Sequence, residues 1–268
     1  MGVISSLNNA KNPLLKEYCE QNGLHLFSYS LTDSTNTRAK EYANGAESDG
    51  KSAIFITRAQ SAGRGTRGRS FESPDGAGLY MSILFYPDVP ASSAALITTY
   101  AATAVCRAVL KISPRGKVEP KIKWVNDVYL GEKKLSGILT EGKPRTDGIL
   151  SYAIVGIGIN VKSNALPESL ADIATSLEDN GIITDTDRLS LALTEEFFEN
   201  LDTLGSAEAM AEYRERSMLR GRTVRVSFGD TVEDLTVTDI GEDGSLITLD
   251  GEGNIKKFTS ADATLLKK

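Results

Sequence analysis

A nearly continuous apolar segment, ILSYAIVGIGINV, occupies residues 149–161. A strand with one face in water alternates apolar and polar residues, whereas a strand covered on both faces is apolar along most of its length. The segment is therefore predicted to be a central strand of a β-sheet, with other elements packed on both faces. This requirement indicates a layered body of strands and helices rather than a two-layer sheet open to water.

Further strands and helices are predicted on either side of this segment along the chain. Strand patterns occupy 24–30, 52–57, 79–86 and 121–124, and a hairpin with a tight turn at Gly131 joins 128–130 to 133–140. Helical patterns occupy 12–21, 38–43, 91–110, 188–204 and 206–218. A polar, glycine-rich connection spans 60–78, and loops of this length in compact domains are usually functional or disordered.

The sequence changes character at Gly221. From Arg222 onward, turn residues separate the short β-type runs TVRVSF, TVEDLTVTDI, SLITL and NIKKF. Short strands at regular turn spacing predict a small β-barrel. We therefore expect two domains, a main domain over 1–219 and a β-barrel over 220–268.

Simple counts exclude several classes of protein. Two cysteines and a single histidine, His25, exclude a His/Cys zinc site and argue against a histidine-driven triad. The formal net charge of −6 argues against a general binder of nucleic acid or anionic membranes. Because the cysteines are far apart and no signal peptide is recognised, we expect a cytoplasmic protein. The uncharged run 89–106 carries several hydroxyl groups, which favours a buried helix over a membrane span.

Three arginines and three glycines occur within the segment GRGTRGR, 63–69. Glycines let a backbone approach a ligand closely, and arginines present fixed pairs of donors that match carboxylates and phosphates. The segment is predicted to be a loop that orders around an anionic ligand. Two alternatives remain open, namely a flexible solvated loop and a patch for single-stranded nucleic acid. The phosphate-binding motif G-x-x-x-x-G-K-[ST] does not occur.

A second candidate site combines KWVND, 123–127, with KKLSG, 133–137. An Asn-Asp pair at a strand end and two lysines on a hairpin can bring a carboxylate and an ammonium group together. The alternative is an ordinary turn with solvated lysines. Trp124 is the only tryptophan and is interpreted as a core residue.

Two further segments carry polar or glycine-rich patterns. STN, 34–36, lies where a strand gives way to a helix, so its side chains suit either helix capping or neutral hydrogen-bonding ligand groups. GIGIN, 156–160, lacks the third glycine of a dinucleotide fingerprint and does not open a helix, so Rossmann-type binding is not expected. Its glycines are expected to allow close backbone packing.

Seven segments in fixed order carry a resemblance to a known family. They are STN (34–36), QSAGRGTRGR (60–69), SP (73–74), GLYMS (78–82), KWVND (123–127), KLSGIL (134–139) and GIGIN (156–160). Together they resemble the core of the biotin–protein ligases. The resemblance runs from about Leu26 to the C-terminus, and the arginine-rich loop and KWVND are its most specific parts.

The resemblance implies an α+β fold, in which a mixed sheet is packed with helices and followed by a small C-terminal β-barrel. It also implies an ATP-dependent biotin–protein ligase. Biotin and ATP would form biotinyl-adenylate, and a lysine of a biotin carboxyl carrier protein would then attack it. Neither step needs a protein nucleophile, because positioning and charge neutralisation suffice in principle. Mg²⁺ would be held mainly by the nucleotide phosphates, with no metal ligand from the protein.

The resemblance implies a role for each matched residue. Hydrogen bonds to the ureido end of biotin are implied for Ser34, Thr35, Asn36 and Gln60. Positions along biotin and the adenylate are implied for Gly63, Arg64, Gly65, Thr66, Gly137 and Asn160. Phosphate contacts are implied for Arg67 and Arg69. Asn126 would organise the reacting centre, and the implied catalytic residues are Lys134, Asp127 and Arg64.

The chain departs from the family pattern at three positions. Family loops often carry arginine where Thr66 stands, which predicts weaker retention of the adenylate unless Arg67 or Arg69 supplies the charge. Phe71 replaces a tryptophan that can stack on adenine, so the aromatic face is kept with less area. Val125 stands where proline is common, which changes the rigidity of the turn rather than the chemistry.

Two other functions compete with this interpretation. A lipoate–protein ligase or octanoyl transferase would share the fold, although the arginine-rich loop and KWVND favour biotin. A non-catalytic nucleic-acid or anion-binding module would leave 34–36, Gln60 and Lys134 without a purpose. No membrane partner is expected, and a homodimer formed through a sheet edge is left open.

Some biotin–protein ligases carry an N-terminal DNA-binding domain, and only about twenty-five residues precede the first predicted strand here. We therefore expect a stand-alone ligase that does not bind DNA. A gel-shift assay with operator DNA tests this expectation, and an operator-specific complex would contradict it.

Overall fold

A computed structural model describes residues 12–163 and 167–266 and contains two β-sheets. The larger sheet has seven strands in the order β1-β2-β3-β7-β6-β5-β4. These strands are β1 (His25–Tyr29), β2 (Ala53–Thr57), β3 (Gly78–Phe85), β4 (Lys121–Lys123), β5 (Asp127–Leu130), β6 (Lys133–Pro144) and β7 (Leu150–Asn160). β1 and β2 are parallel and the other neighbouring pairs are antiparallel, so the sheet is mixed.

Five α-helices within the described residues pack around this sheet. They are α1 (Pro13–Gln21), α2 (Thr35–Asn44), α3 (Ala94–Ile112), α4 (Thr186–Phe198) and α5 (Ala207–Arg216). α3 contacts α4, α5 and β6, whereas α2 contacts β2, β3 and β7. The mixed sheet packed with helices confirms the predicted α+β class.

The predicted central strand is β7, which lies fourth of the seven strands. Its side chains alternate between two separate clusters of buried residues. Val155, Ile157 and Ile159 belong to the main core that includes α3. Tyr152 and Ile154 belong to a smaller cluster with residues of α2. The strand is therefore covered on both faces, as its apolar sequence predicted.

Helix α3 and the turn before it, Ala91–Ile112, are long and apolar enough to cross a membrane by length and composition. In the structure, 67% of its apolar window is buried. Its buried residues, among them Ile97, Val105 and Val109, belong to the main core. The stretch is therefore explained as a core helix, in agreement with the sequence analysis.

One predicted helix is too long. The pattern predicted helix over 188–204, but α4 ends at Phe198 and a short 3₁₀ turn, Leu201–Thr203, follows. The Asn200 side chain donates a hydrogen bond to the Glu196 carbonyl at 3.1 Å. This satisfies a carbonyl of the last helical turn, so the chain can leave the helix although the apolar pattern continues.

The C-terminal sheet has five antiparallel strands in the order β11-β10-β9-β8-β12. They are β8 (Thr223–Phe228), β9 (Thr231–Ile240), β10 (Leu246–Leu249), β11 (Ile255–Phe258) and β12 (Asp262–Leu265). The sequence predicted the first four strands and missed β12. Only one of its four residues, Ala263, is buried, so its pattern carries little strand signal.

The two sheets share one hydrophobic core. Val224, Leu235 and Leu246 of the C-terminal sheet belong to the same buried cluster as Ile122 and the β7 residues. The Trp124 indole Nε1 donates a hydrogen bond to the Gly244 carbonyl at 2.8 Å. The predicted domain boundary near residue 220 stays a prediction, and the outermost parts of the two domains, 1–11 and 267–268, lie outside the described residues.

Trp124→Phe tests the contact between the two sheets. The substitution removes the indole N–H and leaves the Gly244 carbonyl unpaired in a buried position. We expect the free energy of unfolding to fall by about 1–3 kcal/mol. Urea denaturation followed by circular dichroism measures it, because the variant has no tryptophan. A loss within about 0.5 kcal/mol, typical of surface substitutions, would contradict the role assigned to this hydrogen bond.

Candidate functional site

A pocket lies on the α2 face of the large sheet, where three parts of the chain meet. β1 and β2 are parallel neighbours, so the segments that follow them leave the sheet at the same end. One segment leads into α2 and the other into the arginine-rich loop. The third part of the chain is the hairpin of β5 and β6. The predicted site residues that line the pocket are Ser34, Thr35, Asn36, Gln60, Arg64, Gly65, Thr66, Arg69, Phe71, Asn126, Asp127, Lys134 and Gly137.

One end of the pocket is polar and buried. Ser34, Thr35 and Asn36 are each at most 4% exposed. Ser34 occupies the N-cap position of α2, but its side chain makes no capping hydrogen bond and lines the pocket instead. The Gln60 amide oxygen accepts from the Thr35 backbone N–H at 2.9 Å, and its Nε2 donates to the Ser73 hydroxyl at 2.9 Å. These contacts connect the first turn of α2 to the loop.

The Asn36 side chain lies across the three central strands. Its Oδ1 accepts a hydrogen bond from the Ser82 hydroxyl of β3 at 2.6 Å. Its Nδ2 donates to the Glu141 carboxylate of β6 at 2.9 Å and approaches the Leu139 carbonyl at 3.4 Å. Between them, on β7, a Cβ at Gly156 would come within 2.2 Å of Asn36 Oδ1. The amide therefore occupies space that only glycine at position 156 leaves open.

These partners fix the orientation of the Asn36 amide. An ionised carboxylate only accepts hydrogen bonds, so Asn36 must direct its Nδ2 toward Glu141. Both Nδ2 hydrogens then have protein acceptors, whereas Oδ1 retains one unused lone pair. Asn36 can consequently accept a hydrogen bond from a ligand N–H.

Glu141 joins Asn36 to the arginine-rich loop. Its carboxylate also accepts from the Arg64 guanidinium. Burial acts to raise the pKa of Glu141, but hydrogen bonds from Asn36 and Arg64 and the charge of Arg64 outweigh burial. The pKa of this carboxyl therefore lies below its ordinary value, and the group is ionised at neutral pH.

The loop crosses itself closely at Gly63. The Phe71 N–H donates to the Gly63 carbonyl at 2.9 Å, and the Gly65 N–H donates to the Arg69 carbonyl at 2.7 Å. A Cβ at Gly63 would lie 2.3 Å from the Phe71 carbonyl oxygen. Gly63 thus permits the crossing and does not line the pocket.

The other two arginines of the loop contact the C-terminal sheet. Arg67 Nη1 and Arg69 Nη2 lie 2.7 Å and 2.9 Å from the carboxylate of Asp262 in β12. Arg67 does not line the pocket, whereas Arg69 does. Burial opposes ionisation of Asp262, but the two arginines hold its pKa below the ordinary value. The strand that the sequence analysis missed therefore anchors the loop.

The second candidate site forms the opposite wall of the pocket. Lys134 Nζ lies 2.7 Å from Asp127 Oδ1. The Asn126 side chain donates to the Ile138 carbonyl at 2.8 Å, which ties the β4–β5 turn to β6. Each pocket-lining cation therefore has a carboxylate partner, since Arg64, Arg69 and Lys134 pair with Glu141, Asp262 and Asp127, respectively.

Phe71 lies over a floor made of two glycines. Gly137 of β6 and Gly158 of β7 are cross-strand neighbours. A Cβ at Gly158 would lie 2.3 Å from the Phe71 ring, and one at Gly137 would lie 3.2 Å from it. The glycines therefore let the aromatic ring approach the sheet, so GIGIN makes room for side chains rather than for the close backbone packing that the sequence predicted.

Asn160 is the third predicted residue that does not line the pocket. Its side chain donates to the Thr175 carbonyl at 3.0 Å and is 7% exposed. It therefore ties the end of β7 to the segment that follows the sheet.

Sequence analysis assigned no role to Glu141, Ser82 or Lys123. Lys123 is close enough to Asp127 and Lys134 to feel their charges, and burial is the main cause of its lowered pKa. The alternation of strand residues gave one indication of the site, because residues 156 and 158 of β7 must lie on the same face of the sheet. Ser82 lies in GLYMS, which carries part of the resemblance, but neither Ser82 nor Glu141 could be assigned a contact, since their partners come from α2 and the loop.

Comparisons with known proteins agree with this geometry. The model of the biotin/lipoate A/B protein ligase family matches residues 28–160. Residues 28–160 belong to this family. The ligase-family domain thus includes the polar end of the pocket, the arginine-rich loop and the Lys134 wall.

Two curated relatives are similar to the chain. The bifunctional ligase/repressor BirA of Bacillus subtilis is 39% identical over 157 residues, which are 58% of this chain and 46% of that protein. The chain therefore spans about half the length of this relative. The biotin–[acetyl-CoA-carboxylase] ligase of Mycobacterium tuberculosis is 29% identical over 84% of this chain and 82% of that protein.

Among solved structures, the biotin protein ligase from Aquifex aeolicus in complex with biotin and ATP is similar over the whole fold. The TM-score is 0.73 and the sequence identity is 28%. The match covers 91% of this chain and 99% of that one. It therefore includes the C-terminal sheet as well as the ligase-family domain.

Gly156→Ala tests the fit between β7 and Asn36. The added methyl group must displace the Asn36 amide, because β7 is paired with β3 and β6 and cannot move without disturbing the sheet. We expect the free energy of unfolding to fall by about 1–3 kcal/mol, as in other overpacked cores. Urea denaturation measures the loss.

Gly251→Ala is the matched control, because a Cβ at Gly251 would meet no atom within 4 Å. We expect it to change stability by less than about 0.5 kcal/mol. Equal effects of the two substitutions would show that Asn36 does not need the space above Gly156.

Proposed function

We propose that the chain is an ATP-dependent biotin–protein ligase. It would form biotinyl-adenylate from biotin and ATP and then transfer biotin to a lysine of a biotin carboxyl carrier protein. The observation that carries this proposal is the composition of one pocket, which has a buried, hydrogen-bonding end and a wall of cations. The names of the relatives and the bound biotin and ATP of the Aquifex structure support the same assignment.

The polar end suits the ureido ring of biotin. A cyclic urea offers N–H donors and a carbonyl acceptor, and Asn36 retains one lone pair on Oδ1 that can accept such an N–H. A lipoyl dithiolane ring and an octanoyl chain have no hydrogen-bond donor, so neither could use the remaining lone pair of Asn36 Oδ1. Sites built to hydrogen-bond a ligand strongly reject analogues that lack the matching group. The polar end therefore favours biotin over lipoate or octanoate.

The cationic wall suits the first chemical step. A carboxylate oxygen of biotin attacks the α-phosphorus of ATP, the bond to the bridging oxygen breaks, and pyrophosphate leaves with the electron pair. Both reactants are anions, so their repulsion must be neutralised before they meet. Lys134 and Arg69 can do so by exchanging carboxylate partners for ligand oxygens, and Arg64 can do so with the donors that its contact with Glu141 leaves free. Lys134 is the residue we assign to the carboxylate and the phosphoryl oxygen.

The second step transfers the acyl group to an amine. The ε-amino nitrogen of a carrier lysine attacks the acyl carbonyl, an amide bond forms, and AMP leaves. Asp127 lies at the same wall and can orient the amine and accept its proton once Lys134 has turned to the ligand. No side chain of the protein needs to become covalently modified.

Several expectations from the sequence stay predictions of this proposal. Mg²⁺ would enter with the nucleotide phosphates, since the carboxylates of Asp127, Glu141 and Asp262 are each paired with a cation in the described structure. The same holds for the nucleotide roles of Arg67, Phe71 and Asn160 and for weaker retention of the adenylate at Thr66. A cytoplasmic location and the absence of DNA and membrane partners also stay predictions. The homodimer remains an alternative to a monomer.

A transfer assay tests the proposal. The protein is mixed with ATP, Mg²⁺, biotin and an apo carrier domain, and the mass of the carrier is measured. Parallel reactions contain lipoate, an octanoyl donor or no ATP. We expect a mass increase from biotin alone and none without ATP. An increase from lipoate or the octanoyl donor would keep the fold and contradict the substrate, and no increase with a verified carrier would contradict ligase activity.

Lys134→Ala tests the assignment of the cationic wall. We expect adenylate formation to fall by about 10²–10³-fold, because one stabilising charge is removed at the reacting centre. Lys51→Ala is the matched control, since Lys51 is 61% exposed and pairs only with Asp49. It should leave the rate within about twofold, as expected for an exposed ion pair. Equal rates for the two variants would contradict the role of Lys134.

A further inference from the structure

Glu141 is a carboxylate that the reaction does not consume, yet it stands at the junction of two parts of the pocket. Its side chain is 27% exposed and projects from β6. One partner, Asn36, belongs to α2 and the polar end. The other partner, Arg64, belongs to the loop. The two partners are far apart along the chain and lie on different elements, and Glu141 contacts both.

The same carboxylate oxygen, Oε2, accepts from both partners. Each partner presents an N–H, so the atom at this place must accept two hydrogen bonds. A glutamine could place its carbonyl oxygen there, but a neutral acceptor binds the Arg64 guanidinium more weakly than a carboxylate does. The charge of Glu141 therefore strengthens a junction that an apolar side chain could not form.

We propose that Glu141 is a positioning residue that holds the Asn36 amide and the Arg64 guanidinium in one arrangement, so that the polar end of the pocket and the arginine-rich loop bind ligand as a unit. The role rests on the proposed function for its ligand, biotin, but the contact itself exists without any ligand. Glu141 acts through Asn36 and Arg64 and does not take part in bond making or breaking.

Glu141→Ala tests this role in the full-length protein. Because Asn36 and Arg64 both lose their shared acceptor, we expect the KM for biotin to rise by at least about tenfold. We expect kcat at saturating biotin to fall by a smaller factor than the KM rises, since Lys134 and Arg69 remain at the reacting centre. Glu20→Ala is the matched control, because Glu20 is 68% exposed and, among the described residues, pairs only with Lys16 on the surface of α1. It should change neither constant.

A double-mutant cycle separates positioning from a general loss of structure. In the Arg64→Ala background, one of the two partners of Glu141 is already absent. Glu141→Ala should therefore raise the KM for biotin by a smaller factor there than in the wild-type background. The same factor in both backgrounds, or an unchanged KM in the single variant, would overturn the proposal.

Limited proteolysis of the ligand-free protein provides a measurement that does not depend on biotin. Trypsin cuts after arginine, and we expect Glu141→Ala to be cut after Arg64 at least about threefold faster than the wild type, because the loop has lost an anchor. Cleavage at the wild-type rate would overturn the anchor. If the wild-type protein fails to use biotin, the proposed function is wrong, and this cleavage rate alone decides whether Glu141 holds the loop.

Discussion

The Asn36 amide is the point on which the pocket depends, because it bridges the three central strands of the sheet. Its oxygen is held by β3 and its nitrogen by β6, and it passes over β7 where Gly156 has no side chain. The same strand is apolar on its other face, where Val155 and Ile157 enter the main core. β7 is thus covered on both faces by different means, and the glycine-lined face leaves room for a polar pocket.

Paired charges explain how an acidic chain can carry a cationic pocket. The cations that line it each contact a carboxylate, so they are held in place without a ligand at a modest desolvation cost. An incoming carboxylate or phosphate has to compete with Asp127 for Lys134 and with Asp262 for Arg69. One of the partners, Asp262, comes from the C-terminal sheet, which ties that sheet to the loop and gives it a part in organising the pocket.

Much of the fold follows from local sequence patterns. The apolar run 149–161 predicted the central strand, and turn residues after Gly221 predicted the small β-sheet unit. Two errors have physical causes, since α4 ends earlier than its apolar pattern and β12 has a mostly exposed, polar pattern. The family resemblance also predicted most of the pocket residues. Its segments are far apart in the chain but meet in the structure.

What the sequence could not predict are contacts between elements that no local pattern encodes. In the sequence, Glu141 has the pattern of an ordinary strand residue. Only folding brings Asn36 and Arg64 into contact with it. Arg67 has the composition of a phosphate ligand, but in the folded chain it contacts Asp262. Gly63 serves the crossing of the loop rather than the pocket. Each of these depends on tertiary placement and not on spacing along the sequence.

A fixed amide and its polar neighbours are proposed to select a ligand with N–H groups. Calorimetric titration of the protein with biotin and with lipoate, both without ATP, tests this selection most directly. Because no nucleotide is present, the comparison isolates the polar end from the cationic chemistry. We predict that biotin binds at least about tenfold more tightly than lipoate, because only biotin can donate a hydrogen bond to the remaining lone pair of Asn36 Oδ1. Comparable Kd values for the two ligands would contradict it.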